Sequence, residues 1–455
     1  MGLLLAHGIG GFKDLPVPLW LFYYGAALVL LLSFVALWVL WKRPLLRERA
    51  DGRPLPEALE RIVLGRALRA LLGALGVVLL VVVTLAAVAG DRTPNENLAP
   101  TFVYVVFWLW LVPVVVLLGN VWSALNPWRA AADGVAWLWE RAAGPWTTPF
   151  AYPAGLGRWP AALLLFAFAA LELAYTDPAN PRSLAVAIVV YSVVTWLGML
   201  AFGRDAWTAS GEAFSVYFGF LARVAPLGVR EDGRAVVRWP FTALTRIDLR
   251  PGTLAFLAVM LGSVAFDGLS RTEQWVDFRA NATRPLGERS TQLQDLVGTL
   301  MNVAGLALVI LLVALAYLVA VRAAAVVTEY PGDLSGAFLG SLVPIALAYV
   351  VAHYVSLVVL QGQYMAPLVS DPLGRGWDLF GTAGVRPDLG VLSPNAVWYT
   401  QVAALVVGHV AGLALAHDRA VELFDSPRKA AASQYAMLAL MVVYTVAGLW
   451  LLSSG

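Results

Sequence analysis

Cysteine is absent from this 455-residue chain, and histidine occurs four times, at positions 7, 353, 409 and 417. Without thiols there can be no disulfide framework, thiolate nucleophile, cysteine-type zinc site or cysteine-ligated iron–sulfur cluster. Charge is scarce too: 13% of residues are Asp, Glu, Lys or Arg, against 60% hydrophobic, where an ordinary soluble domain carries roughly 25% charged residues. The 31 basic and 29 acidic side chains nearly cancel, so no basic stripe argues for nucleic acid as a partner. Walker loops, Gly-x-Ser-x-Gly elbows, His-Glu-x-x-His zinc helices and dinucleotide fingerprints are all missing from the sequence.

Long apolar runs are what the chain has. A helix needs about 20 apolar residues to cross the hydrocarbon core, and that criterion predicts ten spans, over 17–41, 70–90, 100–119, 160–175, 183–203, 252–269, 297–321, 337–360, 395–417 and 434–453. The expected fold class is all-α: a polytopic helical membrane protein forming a single membrane-embedded domain over 1–455, with the lipid bilayer as its principal partner. The fourth and sixth spans are the shortest. Alternate loops hold 22 and 9 of the Lys and Arg residues. Because cytoplasmic loops retain basic residues, the expectation is a plasma-membrane protein with both termini extracytoplasmic. Met1 to Ala6 lacks the basic segment that opens a signal peptide, so either the short tail crosses with the first span or a longer precursor is cleaved near Ala6 and His7.

Two cytoplasmic stretches have helical texture. Residues 54–69 read as an amphipathic surface helix, and the greasier 206–224 reads as packing under the bundle. The nine loops measure 28, 9, 40, 7, 48, 27, 15, 34 and 16 residues. Around the central loop of 48, long and short alternate in both series, which is the arithmetic of a five-plus-five inverted repeat with halves 1–203 and 252–455 joined by 204–251.

Polar groups inside hydrocarbon are expensive, so they are the default functional candidates. Two carboxylates fall within the spans, Glu172 and Asp267, both near their outer ends. Each reads equally as a snorkelling side chain or as the lining of an outward-facing cavity. Met260, Val264 and Asp267 share one helix face. His353 lies roughly 10 Å below the outer end of the eighth span, and His409 about 20 Å below that of the ninth. Each is a candidate ligand for a transition metal or for haem b, and each is equally a neutral histidine bonded to a neighbouring helix. Gly408 and Gly412 form a small-residue face that admits either a close helix or a flat macrocycle. Tyr349 and Ser356 sit on turns adjoining His353 and are expected to hold or hydrate it, with Gln361 further along. His417 reads as an interfacial residue, and the loop 371–378 as a cap or a simple connection.

Several stretches carry a resemblance. They are His7-Gly-Ile-Gly-Gly with Asp14-Leu-Pro-Val-Pro, Gly119-Asn-Val-Trp-Ser-Ala-Leu-Asn-Pro-Trp128, the run from Ser341 through His353 to Gln361-Gly-Gln, and Gly408-His-Val-Ala-Gly with Ala416-His-Asp-Arg419. In these the chain resembles multipass actinobacterial membrane proteins labelled fenitrothion hydrolase, and similar proteins usually have a signal peptide ahead of the Ala-His-Gly segment. The resemblance implies hydrolysis of organophosphate-type esters at an outward-facing site but assigns no catalytic residue. Such chemistry would use a metal to polarise the phosphoryl oxygen, with His7, Glu172, Asp267 and His353 as the outer-side ligands. A b-haem redox subunit, working with a second subunit, would use His353 and His409. A secondary transporter would use Glu172 and Asp267 at a repeat interface.

Overall fold

A computed structural model describes residues 18–287 and 290–454. His7 lies outside the described residues. Helices dominate. Among the described residues nine are long and apolar enough to cross a membrane: Leu19–Leu40, Glu57–Ala89, Leu98–Leu118, Pro181–Phe202, Thr253–Arg271, Thr291–Thr328, Leu339–Ser370, Pro394–Leu423 and Pro427–Ser453. We name α1 (Leu19–Leu40), α2 (Arg66–Ala89), α3 (Leu98–Leu118), α4 (Trp159–Leu173) and α5 (Pro181–Phe202). After two short helices, α6 (Arg204–Ser210) and α7 (Ala213–Leu221), come α8 (Thr253–Arg271), α9 (Thr291–Thr328), α10 (Leu342–Gln361), α11 (Pro394–Leu423) and α12 (Tyr435–Ser454).

The fourth expected span is shorter than the criterion. Helix α4 has 15 residues, or about 22 Å at 1.5 Å per residue, less than a hydrocarbon core of about 30 Å. The seventh is longer than expected, 38 residues in α9 against the predicted 297–321. Its Ser290 hydroxyl accepts from Leu293 N and caps the start beyond the apolar run. The stretch 54–69 divides into a short helix, Glu57–Val63, exposed except at Glu60, and the first turn of α2.

Helices α8 and α10 form the centre. In its most apolar window α8 is 78% buried, against 17% for α1, because both faces of α8 carry small and medium apolar residues and Gly262 lets α9 approach. A Cβ there would lie 2.7 Å from Ile310 Cα. Gly408 and Gly412 bring α11 against α10 in the same way, with Pro344 O and Ser341 O where side chains would stand.

One end of the bundle is polar and arginine-rich. Here three short strands, β1 (Arg53–Pro54), β2 (Leu227–Val229) and β3 (Ala235–Val237), pair antiparallel in the order β1-β3-β2, a sheet too small to register as a hydropathy pattern. At the same end Asp418 accepts from Trp41 Nε1 at 3.0 Å and Leu46 N at 2.9 Å, fastening α11 to the segment after α1. His417, expected at the interface, is buried instead; its Nε2 meets Trp41 O at 3.0 Å and its Nδ1 meets Gln434 Nε2 at 3.1 Å.

Segment 206–224 packs into the bundle. Helix α7 is buried along its length, and its Phe214, Tyr217 and Phe218 build an aromatic layer. Tyr217 stacks on Trp108 with centroids 4.6 Å apart, Phe214 meets Phe168 edge-on at 5.3 Å, and Phe218 tilts against Trp122 at 5.4 Å. Trp108 belongs to Phe102–Trp110, a stretch of α3 wound as a π-helix. Such winding is rare and often marks a functional site.

Candidate functional site

The arrangement of α4 and α8 brings two carboxylates to one depth. Arg158 N donates to Pro251 O at 2.6 Å, and Gly252, at φ 80°, has no room for a Cβ against Trp159 N. The two helices therefore leave nearly one point and run side by side. Glu172 lies 13 residues beyond Trp159 and Asp267 14 beyond Thr253, about 20 Å along each axis.

Asp267 is 2% exposed. A carboxylate in the last turn of a helix is opposed by the negative end of the helix dipole and by loss of water. Three donors and a nearby imidazole offset this. Arg271, one turn on, gives Nε at 3.0 Å and Nη2 at 2.7 Å to Oδ1. From α10, Tyr354 Oη donates to Oδ2 at 2.9 Å, and His353 Nε2 stands 2.7 Å from the same oxygen. The imidazole is not aligned for a hydrogen bond there, so that approach is a close electrostatic contact. Glu172 interacts electrostatically with Asp267 and Arg271 and also with Tyr104, Tyr217 and Tyr354. Tyr217 Oη, contributed by α7, is buried without a hydrogen-bond partner.

The structure thus joins Asp267 and His353, and Glu172 acts on Asp267 at electrostatic range. Tyr349 and Ser356 do not hold His353. Tyr349 Oη donates to Tyr444 O at 2.6 Å on α12 and its ring lies 6.0 Å from that of His409, while Ser356 is buried and Gln361 closes α10. Tyr354 and Arg271 bond to Asp267, the carboxylate beside His353. Arg271 was legible as the i+4 partner of Asp267. Tyr354 was not, because neighbouring helix positions usually face apart.

The expected cofactors find no fit. Among the described residues no three His, Asp or Glu side chains group as a metal site, and the oxygens of Asp267 are engaged by a cation and a phenol, which leaves a poor donor set for a transition metal. His409 is fully buried, with Nδ1 on Leu405 O at 2.7 Å and Nε2 unpartnered between Tyr349 and Tyr444. The small-residue face beside it is filled by α10: a Cβ on Gly408 would lie 2.2 Å from Ala348 Cβ. Gly408 and Gly412 admit a close helix, and a macrocycle has no space there.

Another buried carboxylate escaped the sequence reading. Glu212 caps α7, accepting from Phe214 N at 2.9 Å and Ser215 N at 2.8 Å, and receives bonds from Tyr191 Oη and from Asn126 Nδ2, the latter at 3.0 Å. Its place before an apolar stretch is the signal that could have marked a cap. Asn126 and Ser215 also line a cavity of about 470 Å³ that opens from the arginine-rich end up to α7. Beside it, reached past Trp122, is an almost wholly apolar crevice of about 390 Å³.

Comparison of the chain with family models, curated proteins and solved structures found no match.

Proposed function

We propose that the protein is a secondary transporter of a bacterial plasma membrane, with both termini extracytoplasmic, in which protonation of Asp267 and His353 is coupled to solute movement. One observation carries this reading: a buried carboxylate at the contact between the two most enclosed helices, α8 and α10, is bound by an arginine and a tyrosine and lies against a histidine. An ionised Asp267 clamps these helices together. A proton on Asp267 weakens its hold on Arg271 and His353, so the energy of the α8–α10 contact depends on protonation, which is what a coupled conformational equilibrium needs. The short helix α7, buried in protein beside the polar cavity, matches the rule that interrupted helices at membrane depth line a cavity or lie within protein. The five-plus-five repeat suggested by the loop lengths belongs to the same proposal.

The test is flux in proteoliposomes. With an imposed pH gradient and a panel of small carboxylates and phosphate esters, the wild-type protein should move at least one solute together with protons, and Asp267→Asn should lose the proton dependence. Identical pH dependence in both proteins would refute the coupling.

The hydrolase implied by the resemblance has one observation in its favour. A carboxylate beside an imidazole is the pairing that orients a general base, here Asp267 and His353. Release of the phenol from a dialkyl aryl phosphorothioate by the purified protein, abolished in His353→Asn, would select this reading over transport.

A further inference from the structure

The arginine-rich end encloses a second, larger cavity of about 1010 Å³, lined by seven arginines and three carboxylates. It shares Arg69 and Arg223 with the 470 Å³ cavity below α7, so the two are continuous around Arg223. Most charged groups along the walls are paired: Asp51 with Arg246, Glu422 with Arg47 and Arg419, and Asp133 with Arg129 and Arg204.

Three guanidinium groups differ. Arg158 is 7% exposed, stacks 4.9 Å from the Phe220 ring and leaves its Nε buried without a partner. Arg238 also has a buried, unpartnered Nε. Arg223, between them, spends Nη1 on two carbonyls, Ala243 O at 3.3 Å and Arg246 O at 2.9 Å. Among the described residues none of the three has a carboxylate within hydrogen-bonding distance. Asp248, the acid that acts on Arg158 and Arg223, is committed to Arg250 at 2.6 Å and stands 3.9 Å from Arg158.

Like charges held together with one counter-charge shared among them, Asp248, cost free energy. The guanidinium groups register that cost. Burial pushes Arg158 down to about 10, with Arg250 and Arg223 adding to the fall against the opposing pull of Asp248. Burial lowers Arg238 as well, and the charge of Arg223 lowers it further. An anion among them would supply the missing acceptors. Planar guanidinium forks match the paired oxygens of a phosphate better than any single lysine would, and the cavity is far larger than one phosphate ion.

We propose that Arg158, Arg223 and Arg238 form a binding site for a phosphate group, borne either by a soluble phosphate ester or by a lipid headgroup. The site lies at the opposite end of the bundle from Asp267, and the proposal does not rest on the transport reading.

The test uses the full chain in nanodiscs of neutral lipid, titrated calorimetrically with inorganic phosphate. Binding should weaken about tenfold in Arg223→Gln, recover in large part in Arg223→Lys, and remain unchanged in Arg141→Gln, whose guanidinium stacks on Trp137 away from both cavities. Arg238→Gln is the second variant should Arg223→Gln fold poorly. A parallel arm measures, by native mass spectrometry, anionic phospholipid retained from phosphatidylglycerol-containing bilayers. Phosphate binding that depends on Arg223 assigns a soluble ligand, and lipid retention that depends on Arg223 assigns a headgroup. Loss of neither phosphate nor lipid in both variants, or no binding of either by the wild type, overturns the proposal.

Discussion

Asp267 Oδ2 lies 2.7 Å from His353 Nε2, across the contact between α8 and α10 and 86 residues apart in the chain. With Arg271 and Tyr354 on the same carboxylate, this makes Asp267 the residue on which the two central helices converge.

Replacing it therefore removes several bonds at once. Asp267→Ala should destabilise the protein by about 3 kcal/mol, since a buried cation and a phenol lose their acceptor together. Asp267→Asn should cost less because it keeps an acceptor for Tyr354. Thermal unfolding in detergent would check the order; equal midpoints for the wild type and Asp267→Ala would show that the cluster contributes nothing to stability.

Tyr354→Phe isolates a single bond. Its hydroxyl donates to a charged acceptor at 2.9 Å, so the substitution should cost about 1.5–3 kcal/mol. In a Tyr354→Phe, Asp267→Asn double variant the losses should fall short of additive, because the two groups share the interaction. A double-mutant cycle measures the coupling, and strict additivity would argue against a shared bond.

Close approach of α10 and α11 predicts a steric effect. Gly408→Ala would place its Cβ 2.2 Å from Ala348 Cβ and 2.8 Å from Pro344 O, and overpacking of this kind costs about 1–3 kcal/mol. Only the first of these contacts involves a side chain that can be removed. Ala348→Gly in the same chain should accordingly recover part of the loss and not all of it, as read from unfolding midpoints.

The β2–β3 hairpin should respond to acid. Asp232, in its turn, is held at about 2 instead of 3.8 by the side-chain bond from Arg230, helped by the backbone N–H of Arg234. A depressed carboxylate stabilises the fold above its unfolded value, and that contribution disappears as pH falls from about 4 to about 2. Amide exchange in 227–237 should rise over this interval in the wild type. In Asp232→Asn the rise should be absent.

A cysteine-free chain makes topology easy to probe. A cysteine placed at Ser454 should react with an impermeant thiol reagent in intact cells, and one at Ala431 should not. The reverse pattern would invert the proposed orientation of both termini.

Hydropathy is a sum over neighbours in sequence, and it was enough to determine the apolar helices, the all-α membrane class and the short list of intramembrane polar residues that contained Asp267, Glu172 and His353. It failed where burial comes from other parts of the chain. Helix α4, expected as the fourth span over 160–175, falls short of the length criterion and is positioned by α8. The stretch 206–224 reads as helical and packed under the bundle, but its pattern does not show that α7 supplies the aromatic layer. Which side chains meet was decided only by tertiary structure. Tyr354, not Tyr349, reaches Asp267 because the rotation of α10 turns Tyr349 toward α12. The glycine face of α11 closes on α10, leaving no room for a planar cofactor. The arginines of four loops and helix ends, scattered between positions 69 and 246 in sequence, gather around Arg223. Each arginine looks alone like an ordinary residue of a basic loop. The accumulation of unbalanced positive charge at one point is a property of their distances, which no local pattern encodes.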